Sequence, residues 1–187
     1  MVAGGVTVME VTMTVPGAIG VIESLRKKYG DQLLLGAGTV LDPRQCSAAI
    51  DAGVEFVVSP SLHREVISRT KELGKISIPG ALTPTEVVTA WNAGADYVKI
   101  FPCSAVGGPS YLKALKAPLP HICLIPTGGV TLDTAAQYLK AGAAALGVGS
   151  DLVNAAALAQ GKPEIITETA RKYLEIIRQE RAASASH

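Results

Sequence analysis

Lys99 stands in Tyr97-Val98-Lys99-Ile100-Phe101, a run that otherwise reads as a buried β-strand. Strand alternation puts it on the same face as Tyr97 and Phe101. Burial strips an ammonium of water and lowers its pKa, and the neutral amine attacks carbonyl carbons. A lysine at a strand end, with its stem buried and its head in water, gives the same pattern. Glu10 is the second residue of this kind, in Val8-Met9-Glu10-Val11-Thr12-Met13. It shares a face with Val6, Val8 and Thr12, where a carboxylate needs a partner or a raised pKa. It reads as a general acid/base or as half of a structural ion pair, with Lys99 itself as the other half.

Two glycine-rich segments follow apolar runs near the C-terminus. They are Thr127-Gly128-Gly129 and Gly147-Val148-Gly149-Ser150, the second expected to open a helix. Glycines let backbone N–H groups close on a phosphate, and a helix N-terminus adds partial positive charge. Two tight turns without a ligand fit as well. Thr39 and Thr127 fall at strand C-termini, where their hydroxyls could hold a carboxylate or cap turns. His63 and His121 read as surface residues and His187 as tail. No Ser/His/Asp set and no metal-ligand spacing is visible, so neither metal nor cofactor is expected.

A loose repeat supplies the elements that must position these groups. Ala-Gly recurs at Ala3-Gly4, Ala52-Gly53, Ala93-Gly94 and Ala141-Gly142, each followed by an apolar run (6–13, 54–59, 95–101, 143–148). Glycine after a helical segment supplies a left-handed C-cap. Three further runs lie between, at 32–35, 75–78 and 122–125. Helices fit at 16–29, 43–51, 64–73, 84–93, 110–116, 133–141 and 163–181, with proline at the first position of several. In the last, Ile165, Ile166, Ala170, Tyr173, Leu174 and Ile177 recur at helical spacing, and 182–187 reads as a frayed tail.

Alternating strands and helices mean an α/β fold with a parallel sheet. The repeat favours a TIM-type (β/α) barrel, and no GxGxxG follows the first strand to support an open dinucleotide sheet. Seven strands are counted where a closed barrel has eight. The start, Met1-Val2-Ala3-Gly4-Gly5, reads as the end of a helix. The expectation is therefore a single barrel domain over 1–187, short by one strand–helix unit at its front, incompletely closed and weakened in catalysis.

The 187 residues are 48% hydrophobic and 18% charged, with only 4% aromatics, so the core must be aliphatic. Lys and Arg number 17 against 16 Asp and Glu, which gives no field to hold nucleic acid or an anionic membrane. Cys46, Cys103 and Cys123 form an odd set without metal spacing and read as reduced cysteines of a cytoplasmic protein. No basic leader precedes the first apolar run. The most apolar stretch, 141–159, is broken by Asp151 and Asn154 and reads as a poor membrane span.

Several motifs in order carry a family likeness. They are Glu10-Val11-Thr12, Gly36-Ala37-Gly38-Thr39-Val40, Ser59-Pro60, Ile78-Pro79-Gly80, Thr83-Pro84-Thr85-Glu86, Lys99-Ile100-Phe101-Pro102, Pro126-Thr127-Gly128-Gly129-Val130 and Gly147-Val148-Gly149-Ser150. Over essentially its whole length the chain resembles the 2-keto-3-deoxy-6-phosphogluconate (KDPG)/4-hydroxy-2-oxoglutarate (KHG) aldolases. The resemblance implies a metal-free, class I aldolase on a (β/α)8 barrel, a homotrimer acting on a small keto acid or phosphosugar. It implies Lys99 as the Schiff-base residue and Glu10 as acid/base through water. It implies Thr39, Thr127, Pro60 and Phe101 around the substrate, and Gly128, Gly129, Gly149 and Ser150 on the phosphate. Family members often carry an arginine for the substrate carboxylate, either four residues after the glutamate or on a preceding strand. Here that first position is Thr14. Asp151 beside the phosphate loop is a second departure, since a carboxylate there repels phosphate unless it turns away. Two rivals remain: a phosphate-binding isomerase or epimerase in which Lys99 is only electrostatic, and a non-catalytic remnant or assembly scaffold.

Overall fold

The computed structural model describes residues 1–185, and Ser186 and His187 lie outside the described residues. They fall into two compact units, residues 7–101 and residues 1–6 with 102–185.

The first unit alternates strand and helix: β1 (Val8–Thr12), α1 (Ala18–Tyr29), β2 (Leu34–Gly38), α2 (Pro43–Asp51), β3 (Phe56–Val58), α3 (Arg64–Glu72), β4 (Ile76–Ile78), β5 (Gly80–Ala81), α4 (Pro84–Asn92) and β6 (Val98–Ile100). β1, β2, β3 and β4 run side by side in that order, all parallel. β5 pairs in parallel with β6. One face of β1 and β2 meets the helices: Val11 and Ala37 pack with Ala18, Ile22, Val40, Cys46 and Ala49. The other face carries Val8, Glu10 and Thr12, opposite Leu34, Gly36 and Gly38. α2, α3 and α4 start where the sequence predicts, and α1 starts two residues later than expected, at Ala18. Asp42 caps α2 through the N–H groups of Arg44 and Gln45 ahead of a proline at the first turn. Thr83 and Glu86 close a capping box on α4. Gly53 and Gly94 are left-handed just past α2 and α4, as the repeat requires.

The second unit holds short 3₁₀ turns at Val2–Gly4 and Cys103–Val106, then α5 (Pro109–Lys116), β7 (Leu124–Pro126), α6 (Leu132–Lys140), α7 (Ala155–Ala159) and α8 (Pro163–Ala185). The Ala3-Gly4 copy of the repeat departs from the others, because Gly5 takes the left-handed position. Gly4 instead lies so close to Ala170 and Thr167 of α8 that a Cβ there would collide with both. α8 runs through most of the segment read as a frayed tail, to Ala185.

Three other readings change. The strand expected at 75–78 continues past Pro79 as β5, since proline interrupts the ladder without ending the extended path. The run at 143–148 forms no regular strand: Ala144 and Gly147 donate to the carbonyls of Leu124 and Pro126, and Gly147 is bridged in parallel to Thr127. Ser150 opens a turn rather than a helix: Leu152 and Val153 both donate to the Gly149 carbonyl, and α7 begins only at Ala155.

Candidate active site

Lys99 is 8% exposed at the centre of β6, between fully buried Val98 and Ile100. Its N–H donates to the Pro79 carbonyl at 2.9 Å, and its register partner is Gly80. A side chain at Gly80 would collide with the backbone of Pro60 and Ser61, so this glycine lets the loop after β3 close onto the strand beside Lys99. The amine sits 4.9 Å from the Phe101 ring centroid, on the face that alternation predicts. It has no hydrogen bond to any described residue, yet no described buried side-chain nitrogen lacks a partner. The stem is thus buried while the tip reaches open space. Burial lowers the Lys99 pKa from 10.5, and the negative charge of Glu10 partly opposes that.

Glu10 is on β1, opposite Gly36 and leaning over Gly38. Any Cβ at Gly38 would collide with its carboxylate, so the absence of a side chain there makes room for the acid. Loss of hydration raises the Glu10 pKa above 4.5, and Lys99 lowers it in part. By area the residue is exposed, although protein crowds its carboxyl. Water on the open side tempers the shift without reversing it. Among the described residues Glu10 and Lys99 form no contact ion pair, so the structural-pair reading gives way to two groups that feel each other across a gap.

Thr39 and Pro60 follow β2 and β3 at their C-terminal ends. Thr39 has φ 59°, and is the one described non-glycine residue with a positive φ. A β-branched residue there is strained, by about 1–3 kcal/mol, and such strain persists where function requires it. Thr39→Gly should raise thermal stability, by about 1 kcal/mol, while lowering kcat/KM. Thermal melts and aldol-cleavage kinetics on one preparation check this, and a gain in both would remove Thr39 from the site. Ser59 is occupied structurally, donating to the Val40 carbonyl at 2.7 Å.

The other sequence-predicted residues lie in the second unit. Thr127, Gly128 and Gly129 follow β7, with the two glycines left-handed at φ 82° and 77°. Cys103 and Ser104 donate to the carbonyls of Thr127 and Gly128, which leaves the loop's own N–H groups free. The N–H groups of Gly128, Gly129, Gly149 and Ser150 find no acceptor among the described residues. Together they form two amide-lined turns held in register by the Thr127–Gly147 bridge. Ser104, which the sequence did not single out, packs directly against Gly129. Asp151 takes none of these amides as a donor and instead accepts the Tyr173 hydroxyl at 2.5 Å. Among the described residues no cluster of His, Cys, Asp or Glu could hold a metal, and no helix is long and apolar enough to cross a membrane.

These features define an α/β protein with a buried lysine on one parallel strand, a carboxylate on another, and amide-lined turns at strand ends. A family model for KDPG and KHG aldolase matches residues 1–169. The 2-dehydro-3-deoxy-6-phosphogalactonate aldolase of Escherichia coli is 44% identical over 156 residues, 83% of this chain and 76% of that protein. A native KDPGal structure superposes with a TM-score of 0.88 at 38% identity, covering 97% of this chain and 86% of that one. A KDPG aldolase from Legionella pneumophila, with pyruvate captured as a covalent carbinolamine, superposes with a TM-score of 0.85 at 34% identity, covering 91% and 82%. The chain belongs to the KDPG and KHG aldolase family, with the TIM-type α/β fold of those enzymes. Its class is therefore that of the aldehyde-lyases.

Proposed function

We propose that the chain is a class I aldolase cleaving 2-keto-3-deoxy-6-phosphogluconate to pyruvate and glyceraldehyde 3-phosphate, and also accepting 4-hydroxy-2-oxoglutarate. The observation that carries it is Lys99, an amine with a buried stem, an open tip and a lowered pKa. The neutral amine adds to the C2 ketone, and loss of water gives an iminium. Glu10, ionised, takes the C4 hydroxyl proton through water as the C3–C4 bond breaks. The bonding electrons flow into the iminium to form an enamine, and the aldehyde leaves. Protonation of the enamine at C3 and hydrolysis of the iminium free pyruvate and restore Lys99. Thr39, Thr127, Pro60 and Phe101 line the substrate. Gly128, Gly129, Gly149 and Ser150 receive the phosphate on backbone N–H groups, whose dipoles stabilise its charge without a basic side chain.

A second reading changes only the C4 configuration, because the E. coli relative is named for the galactonate epimer. The reading includes a homotrimer in the cytoplasm, and unpaired Cys46, Cys103 and Cys123 fit a reducing compartment. The test is pyruvate release from the two epimeric phosphorylated acids and from 4-hydroxy-2-oxoglutarate, with inorganic phosphate as inhibitor. We expect one epimer to be strongly preferred, with phosphate competitive against it. Equal cleavage of phosphorylated and unphosphorylated acids, with no phosphate inhibition, would overturn the phosphate-site assignment. No cleavage of any of them would overturn the aldolase.

A further inference from the structure

Tyr173 has no place in the chemistry above, yet it is buried to 4% exposure in the middle of α8 with its hydroxyl aimed at both glycine turns. It donates to the Asp151 carboxylate at 2.5 Å, and its oxygen lies 3.5 Å from the Val130 carbonyl. Asp151 follows Gly149-Ser150 directly, and Val130 follows Gly128-Gly129 directly. One phenol therefore reaches the residue next to each amide-lined turn. We propose that Tyr173 is a positioning residue for phosphate recognition, a latch that holds Asp151 turned away from the anion and keeps the two turns in register.

The latch rests on the phosphate reading above and on three physical points. First, Asp151 is one residue from Ser150, in a turn whose own backbone hydrogen bonds are those of the Leu152 and Val153 N–H groups to the Gly149 carbonyl. A carboxylate released there would compete for the same amides or face the phosphate, and like charges at such range repel. Second, the Gly147–Thr127 bridge ties the turns on the strand side only, and Tyr173 ties them on the helix side. Third, burial first, then the hydrogen bond to Asp151 and the charges of Asp151 and of Asp133 at the start of α6, oppose ionisation of Tyr173 and keep its proton available to donate. The amides need no rearrangement when phosphate arrives, which is how preorganised donors gain affinity.

The test is a comparison of wild type, Tyr173→Phe and Tyr173→Phe/Asp151→Asn. The phenylalanine keeps the packing and deletes only the hydroxyl. We expect Tyr173→Phe to weaken competitive inhibition by inorganic phosphate about tenfold, with the loss on KM rather than kcat. The ratio of kcat/KM for phosphorylated over unphosphorylated keto acid should fall by about the same factor. Adding Asp151→Asn should restore most of both, because it removes the charge that the latch restrained. Pyruvate trapping by borohydride serves as the folding control for each variant. Equal losses on both substrates, or no recovery in the double variant, would overturn the latch while leaving the phosphate site in place. A wild type indifferent to phosphate would instead remove the phosphate site, and the latch with it.

Discussion

Replacing Lys99 by methionine or alanine should abolish trapping of pyruvate by borohydride, with no mass gain of one reduced adduct. Aldol cleavage should fall by at least about 10⁴-fold, since an iminium electron sink has no substitute here, and that factor is ~5.5 kcal/mol of barrier. Lys99→Arg makes the sharper control, because it keeps a positive charge near Glu10 and cannot form the imine. An isomerase in which Lys99 is merely electrostatic would retain much of its activity in that variant. An adduct surviving on another lysine would remove the assignment. Stability separates the two roles again. The folded-state pKa of Lys99 lies below its ordinary 10.5, so protonation favours the unfolded chain. That cost is full below the folded pKa and vanishes as pH rises past 10.5. Lys99→Met should therefore melt higher than wild type at neutral pH, and the gain should shrink toward strongly alkaline pH. A structural lysine would show the opposite sign.

Much of this was legible in the residues themselves. An apolar strand with one lysine has few explanations, and alternation placed Lys99 and Phe101 on one face, where the amine does meet the ring. Helix starts were equally clear, because Asp42 and Thr83 announce their caps through prolines at the next position. Less legible was whatever depends on two distant segments approaching. Gly38 reads as a turn residue, and only the fold shows that its missing side chain makes room for Glu10. Gly80 hides the same way behind Pro79. Residues 143–148 look like a strand by hydropathy, yet they meet β7 only through the Ala144 and Gly147 N–H groups and one bridge at Gly147, because periodicity reports burial rather than hydrogen bonding. Asp151 signalled trouble beside a phosphate loop, but its answer lies 22 residues further on. Tyr173 at helical spacing reads as one more core residue, and only the position of its hydroxyl distinguishes it.

Glu10→Gln carries the second large effect. It preserves size and hydrogen bonding and removes the base, so kcat/KM should drop about 10²–10⁴-fold, the usual worth of a positioned proton carrier. Schiff-base formation itself should survive, so borohydride should still trap pyruvate on Lys99 in this variant. That separates proton transfer from nucleophilic attack, and an adduct lost together with turnover would mean that Glu10 instead governs Lys99. The pH–rate profile should lose its acidic limb, because the group whose ionisation drives that limb is gone. Gly38→Ala should move activity in the same direction, since a Cβ there displaces the carboxylate without altering its charge. Stability should again run opposite to activity. The Glu10 pKa is raised above 4.5 in the folded chain, so the folded state binds the proton more tightly and loses stability as pH rises through that window. Glu10→Gln should then be the more stable protein at neutral pH, with the two melting curves converging below about pH 4.5 as both forms become neutral. A variant less stable at neutral pH would show that Glu10 is held by a structural partner, and would return it to the scaffold.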